Sequence, residues 1–269
     1  MESPLIINLK RCSLLTNREI LEIAMRQSAI DCNCDAADFE LHRNKVVISK
    51  ENPLARKYLE LPFYCDLVSY GDNIVASVSA EIASVTEDYI NKYQLEHCFE
   101  TPNFHVLNDE FQKYGMRICF MAEYFLPDVN VLKRLSCDYE VKLLLPDEFS
   151  GLYKSEWENA LSEKRKTLDM LAVGAFDGEN LIGLAGCSAD CETMWQIGVD
   201  VLPEYRKKGV ASALTSNLAV EILNREKAPF YCCAWSNISS VRNAIKSGFR
   251  PAWVEMTAKS EEFIEELNR

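Results

Sequence analysis

The chain has 269 residues, 48% hydrophobic and 26% charged, which is the composition of a packed protein and excludes collagenous, repetitive and disordered classes. A chain of this length buries most of its unfolded surface, so it needs neither disulfides nor a structural metal to fold. Its formal net charge of −12 argues against a general nucleic-acid binder, because duplex binding is dominated by phosphate neutralisation.

A small anionic ligand remains compatible with that charge, since screening confines charge effects to about 8 Å and a local basic cluster can act alone. The longest apolar runs, such as residues 171–176, stop well short of the ~18 residues a membrane span requires. Residues 1–4, Met-Glu-Ser-Pro, show no basic n-region and no apolar core of an export signal. A cytoplasmic protein without membrane contact is expected. The 11 cysteines are scattered, none with C-x-x-C spacing, and the only histidines are His42, His97 and His105. Asp31-Cys-Asn-Cys-Asp35 and His97-Cys98 lack the paired ligands of a zinc site, so reduced thiols and no metal are expected.

Along the chain, residues 17–29 carry apolar positions near helical spacing and predict an opening helix. Strands are predicted at 46–48, 64–70 and 74–78, the last two joined by the turn Gly71-Asp72-Asn73. A helix at 81–93 and a strand at 117–126 follow, ending at Pro127-Asp128. The second part has a clearer rhythm. A strand at 139–145 stops at Pro146-Asp147, and residues 150–166 predict a helix with Tyr153, Trp157 and Leu161 on one stripe. Strands at 170–176 and 181–188 flank Asp177-Gly178, a strong hairpin signal. A strand at 194–201, a helix at 209–224, a strand at 230–234, a helix at 239–247, a strand at 252–258 and a helix at 261–267 complete the chain. That alternation implies an α/β domain with a mixed sheet, with a boundary near residues 127–137.

The segment with chemistry in it runs from Val199 to Ala211. A strand ends at Val201, Pro203 turns the chain, and Arg206-Lys207-Lys208-Gly209 leads directly into a helix. The first turn of a helix offers unpaired N–H groups and the positive end of the macrodipole, which suits a phosphate. Gly209 permits close approach and a positive φ, while Ala211 and Ser212 leave room for a bulky group. Downstream, Asn237 is a good N-cap, and Gly248 a good C′ residue with Phe249 as its hydrophobic partner.

Arg206-x-x-Gly209-x-Ala211, followed by the stretch from Asn237 to Gly248-Phe249, resembles the GNAT superfamily of acyl-CoA-dependent N-acetyltransferases. The resemblance covers about residues 139–258. It implies a GNAT-type fold over residues 137–269 and an additional N-terminal α/β domain over 1–130, either an added domain or a degenerate second copy. It implies acetyl-CoA as donor and direct transfer to an amine in a ternary complex. The backbone of Val199, Asp200 and Val201 would pair with pantetheine. Arg206, Lys207, Lys208, Gly209, Val210, Ala211 and Ser212 would hold the diphosphate. Asn237, with Ser240 and Asn243, would line the pantetheine channel.

Two positions depart from the family. Its usual tyrosine acid is replaced by Ala244, and the position of a general base in some members is Cys232. Glu192 and Cys232 are the catalytic candidates, with Asp190, Tyr231 and Cys233 nearby and Trp195, Trp235 and Trp253 as possible pocket walls. The expected acceptor is a small-molecule amine. An acyl-CoA-binding module without turnover and an enzyme acting on protein amines are the alternatives, and a homodimer is compatible with the sequence.

Overall fold

The computed structural model describes residues 15–269; the expectations drawn from residues 1–4 and from Cys12 lie outside the described residues. The chain runs α1 (Asn17–Cys32), β1 (Lys45–Ile48), β2 (Cys65–Ser69), β3 (Val75–Val78), α2 (Ala83–Lys92), α3 (Asn103–Gln112) and β4 (Met116–Pro127). It continues β5 (Glu140–Leu144), α4 (Pro146–Phe149), β6 (Asp169–Asp177), β7 (Asn180–Ser188) and β8 (Met194–Val201). It ends α5 (Val210–Leu223), β9 (Ala228–Ala234), α6 (Ile238–Lys246), β10 (Phe249–Ser260) and α7 (Glu261–Leu267).

Local chemistry explains several of these limits. Thr16 and Glu19 form a reciprocal capping box at the start of α1, and Asn33 at φ 63° ends that helix in the left-handed region. Gly178, at φ 62°, turns β6 into β7.

The strands form one 10-stranded sheet in the order β1-β3-β2-β10-β4-β9-β8-β7-β6-β5. Only β1–β3 and β8–β9 are parallel, so the sheet is mixed, as expected. The boundary expected near residues 127–137 falls between β4 and β5, and the sheet continues across it. β4 lies between β10 and β9.

Alternating side chains divide the core between the faces. Phe125, Ile197 and Tyr231 pack with Val210, Leu214, Leu218 and Ile222, which follow one another four apart along α5. Tyr124, Phe230 and Trp253 pack on the opposite face with Ile20 and Ala24 of α1. Beyond β4, α2 and α3 supply Tyr89, Ile90, Leu107 and Phe111 to a third cluster. The sequence reading did not include α3, whose only buried side chains are Leu107 and Phe111, too sparse a stripe to stand out.

The helix expected over 150–166 is not formed. Two short 3₁₀ turns, Ser155–Trp157 and Glu163–Leu168, stand in a looping segment whose Trp157, Ala160 and Leu161 are nevertheless buried. Carboxylates from the sheet hold this segment by its own backbone. Asp200 accepts from the N–H groups of Asn159 and Ala160, both at 2.9 Å, and Asp169 accepts from Ser162 N–H at 3.1 Å. The segment lies so close that a Cβ on Gly198 would stand 1.7 Å from the Asn159 carbonyl oxygen, and one on Gly186 2.0 Å from that of Ala160. An apolar stripe therefore predicted burial correctly and helix wrongly. Side-chain-to-backbone bonds displaced the helical ones.

Two outcomes follow from this packing. Gly198→Ala is expected to cost about 3 kcal/mol in denaturant unfolding, because backbone, not a flexible side chain, occupies the space a methyl needs. Burial also raises the Asp169 carboxyl to about 6 from an ordinary 3.8. The folded chain thus keeps a proton there that the unfolded chain has released. The stability from this group is full below pH 4 and lost as pH rises through 6, about 3 kcal/mol in all. Asp169→Asn should remove that part of the slope when unfolding free energies are compared from pH 4 to 7.

Candidate active site

The parallel ladder between β8 and β9 is short. It joins Met194 to Ala228, Trp195 to Pro229 and Gln196 to Phe230, and there it ends. From Ile197 to Val201, β8 pairs only with β7, while β9 from Tyr231 to Ala234 pairs only with β4. The two strands splay, and one backbone edge of residues 197–201 is left free for an extended ligand.

A cavity of about 600 Å³ opens at this gap. Twelve of the thirteen residues expected to bind the donor line it: Val199, Asp200, Val201, Arg206, Lys207, Gly209, Val210, Ala211, Ser212, Asn237, Ser240 and Asn243. Lys208 is the exception. Its Nζ points to the Tyr139 hydroxyl at 3.4 Å and lies 5.0 Å from the Tyr205 ring centroid.

The turn into α5 has two residues in the left-handed region, Lys207 at φ 63° and Gly209 at φ 82°. For Lys207 that conformation costs about 1–2 kcal/mol, so the surrounding structure holds it there. Such a turn ahead of a helix makes a concave run of N–H groups that suits anionic oxygens. Gly209 is the N-cap of α5 and provides no side-chain cap. Arg206, Lys207, Arg242 and Lys246 give the cavity a cationic lining within a chain of net charge −12. Lys246 Nζ lies 3.8 Å from where a Gly209 Cβ would be, which places its charge at the turn.

Several of these side chains also make bonds within the protein, among them the N-cap expected of Asn237. Arg206 donates through Nε to the Val201 carbonyl at 2.9 Å and so fixes the strand end. The Asp200 carboxylate is taken up by the 159–160 segment, leaving its backbone as the part that faces the gap. Asn237 caps α6 by accepting from Ser240 N–H at 3.2 Å. Asn243 donates to Thr215 Oγ1 at 3.0 Å and ties α6 to α5. The sequence reading passed over Tyr205, Ser239, Arg242 and Lys246, which also line the cavity. Positions 239, 242, 243 and 246 fall on one polar face of α6, and that spacing was the available signal.

Neither catalytic candidate faces this cavity. Glu192 is exposed in the turn before β8, at the opposite end of that strand from the α5 turn, and lines a separate cavity with Ile23, Leu54 and Lys227. Cys232 sits on the other face of the sheet, where its Sγ accepts from Gln196 Nε2 at 3.1 Å. Burial, followed by the nearby Glu255 charge, pushes its thiol up to about 12, so it keeps its proton and is a poor base. Asp190 is fully buried and paired with Arg165, away from the gap. Ala244 is also fully buried in the core beside α5, so no acid comes from that position.

Tyr231 does line the cavity. Its hydroxyl lies 3.3 Å from Ser240 Oγ, and burial raises it above the ordinary tyrosine value. Of the tryptophans, Trp253 is core, stacked at 4.6 Å on Tyr124, and Trp195 is buried, while Trp235 is 66% exposed and borders a further cavity with Glu123 and Val254. Burial raises the Glu123 carboxyl too. Among the described residues no group of three or more His, Cys, Asp or Glu side chains is placed to hold a metal ion, and no helix is long and apolar enough to cross a membrane.

The GNAT acetyltransferase family matches residues 74–252. No curated protein matches the chain. Among solved structures, a GCN5-related N-acetyltransferase-like protein from Streptococcus suis is 19% identical, over 59% of this chain and 69% of that one, with a TM-score of 0.43. A GCN5-related N-acetyltransferase from Sphaerobacter thermophilus is 16% identical, over 60% and 57%, with a TM-score of 0.42. A GNAT-family acetyltransferase structure from Novosphingobium aromaticivorans is 18% identical with a TM-score of 0.39; the match covers 54% of this chain and 66% of that one, just under two thirds. The family match spans most of the chain, both sides of the β8–β9 gap included, and the chain belongs to the GNAT acetyltransferases, which use acyl-CoA donors.

Proposed function

We propose that the protein is an N-acetyltransferase that moves an acetyl group from acetyl-CoA to the amine of a small molecule, with both substrates bound at once. The observation that carries this reading is the left-handed Lys207–Gly209 turn, flanked by Lys246, at the foot of a strand edge left free by the splay. The donor set fits the ligand: cations and helix N–H groups suit a diphosphate, and the 197–201 edge suits the amide groups of a pantetheine arm. Acetyl-CoA supplies an activated thioester, and N-acetyl amine and free CoA are the products.

The chain's own contribution is positioning and proton management. The free edge of β8 offers backbone N–H groups to polarise the thioester carbonyl. Tyr231 takes the acid role that Ala244 does not provide: it holds its proton at neutral pH and gives it to the departing sulfur. The nitrogen loses its proton to water, and water restores the tyrosine. Residues 15–130 extend the sheet and shape the acceptor side, and residues 137–269 hold the donor.

A second reading, a module that binds acyl-CoA without turnover, is favoured by one observation, the burial of Ala244 where the family acid stands. Release of CoA thiol in the presence of amines separates the two.

Gly209→Glu is expected to weaken acetyl-CoA binding by about 100-fold or more in isothermal titration, because a carboxylate is set against the phosphates. Unchanged affinity would remove the diphosphate from this turn. Tyr231→Phe should leave acetyl-CoA affinity near wild type and lower kcat by about 100-fold, the lower end of the usual contribution of a general acid.

A further inference from the structure

A second cavity, about 680 Å³, is on the α1 face of the sheet and is not the one that carries the turn into α5. It runs along β4 and β10. Its inner end is formed by Tyr58, Tyr124, Glu255 and Ala234, and its length by Leu59, Leu61, Phe63, Met116, Phe120 and Phe263. Its inner end comes close to the donor cavity past the end of β9: Ala234 borders the one and Asn237, whose N–H donates to the Ala234 carbonyl at 2.8 Å, borders the other. The ladder from β9 to β4 stops at the pair Ala234–Ala122, so residues 116–121 pair only with β10, and the groove wraps this open stretch.

The inner end holds an uneven set of charges. Arg56, 3% exposed, donates to Asp31 at 2.5 Å and to Glu255 at 2.7 Å, so one guanidinium faces two carboxylates. Trp253 Nε1 also donates to Glu255 Oε1 at 2.8 Å. Both bonds to Glu255 fall on Oε1, which leaves Oε2 for a ligand in the groove. One buried negative charge is left over at the end of an otherwise apolar channel. Asp66, opposite Thr257 in the β2–β10 ladder, is 1% exposed, and burial drives its carboxyl well up and towards the neutral form. At the outer rim, Lys259 and Glu60 neutralise one another at 2.6 Å.

We propose that this groove is the acceptor site and that it takes a primary ammonium carried on an elongated apolar chain, with Glu255 holding the ammonium group. The inference rests on the acetyltransferase reading above, yet it is a statement about amine binding and can be tested without turnover. An uncompensated carboxylate in a low-dielectric pocket favours a cation, and the apolar walls reward each methylene that leaves water. Phe120, 46% exposed at the groove wall, would be covered by such a chain.

The test is calorimetric titration of the whole protein with 1-aminobutane, 1-aminohexane and 1-aminooctane, and with 1-octanol as the uncharged counterpart. Affinity should rise about fourfold per methylene, and the amine should bind at least tenfold more tightly than the alcohol. Phe120→Asp, a surface change that leaves the core intact, should flatten the rise with chain length. Glu255→Gln should abolish the preference for amine over alcohol; if loss of the Arg56 partner prevents folding, the wild-type comparison and Phe120→Asp still decide. Affinity independent of chain length, or equal for amine and alcohol, overturns the proposal. Failure of acetyl-CoA to bind, measured separately, would count against the transferase reading and leave the amine result to be judged on its own.

Discussion

Three residue pairs join β8 to β9, and the site depends on the ladder stopping there. Parallel strands with unpaired backbone inside a protein would ordinarily be costly. Here each strand is anchored on its other side, β8 by β7 and β9 by β4, so the gap is held open by bonds that do not cross it and the groups facing it stay free. The Val201 carbonyl at the end of β8 receives Arg206 Nε, which fixes where the chain turns towards α5. The cradle at Lys207–Gly209 is therefore set by the sheet, not by the loop alone. A free strand edge and a helix N-terminus come to lie at one mouth.

That arrangement gives β4 an importance its sequence does not announce. It belongs to the part of the chain without motifs, yet it is the strand that lets β9 leave β8. It also carries Tyr124 and Glu123 on opposite faces beside the gap, and the segment before β2 contributes Arg56 and Tyr58. Within residues 15–130, β4 thus supports one side of the gap, and Tyr58 and Tyr124 wall the cavity on the α1 face.

The parts legible in the sequence are those where local rules and tertiary structure agree. The α5 stripe, the Asp177-Gly178 hairpin and the glycine turn each needed only a short window, and twelve of thirteen expected lining residues face one cavity. The misreadings have a common cause: long-range partners. Residues 150–166 have helical periodicity, but Asp200 on β8 and Asp169 at the start of β6 claim the N–H groups of residues 159, 160 and 162. Glu192 adjoins β8 in sequence but stands at the far end of that strand from the α5 turn, and a strand separates its two ends by about 3.3 Å per residue. Cys232 was placed on the right strand, but alternation sends it through the sheet to the other face. Arg56 pairing with Glu255, 199 residues away, is beyond any local pattern.

A net charge of −12 and a cradle for a polyanion are reconciled by where the charges stand. Arg242 and Lys246 project from α6 on the α5 side, whereas Asp31, Glu255 and Asp66 are buried with Arg56 on the α1 side. The sheet lies between them. Screening by salt weakens charge effects over about 8 Å in water, but the buried carboxylates are shielded much less. Each substrate would then meet a field of opposite sign to its own, an anionic donor from one face and a cationic acceptor from the other. A chain of net charge −12 attracts any free ammonium, so on the proposed reading selectivity for the acceptor would come from the apolar length of the groove and not from charge alone.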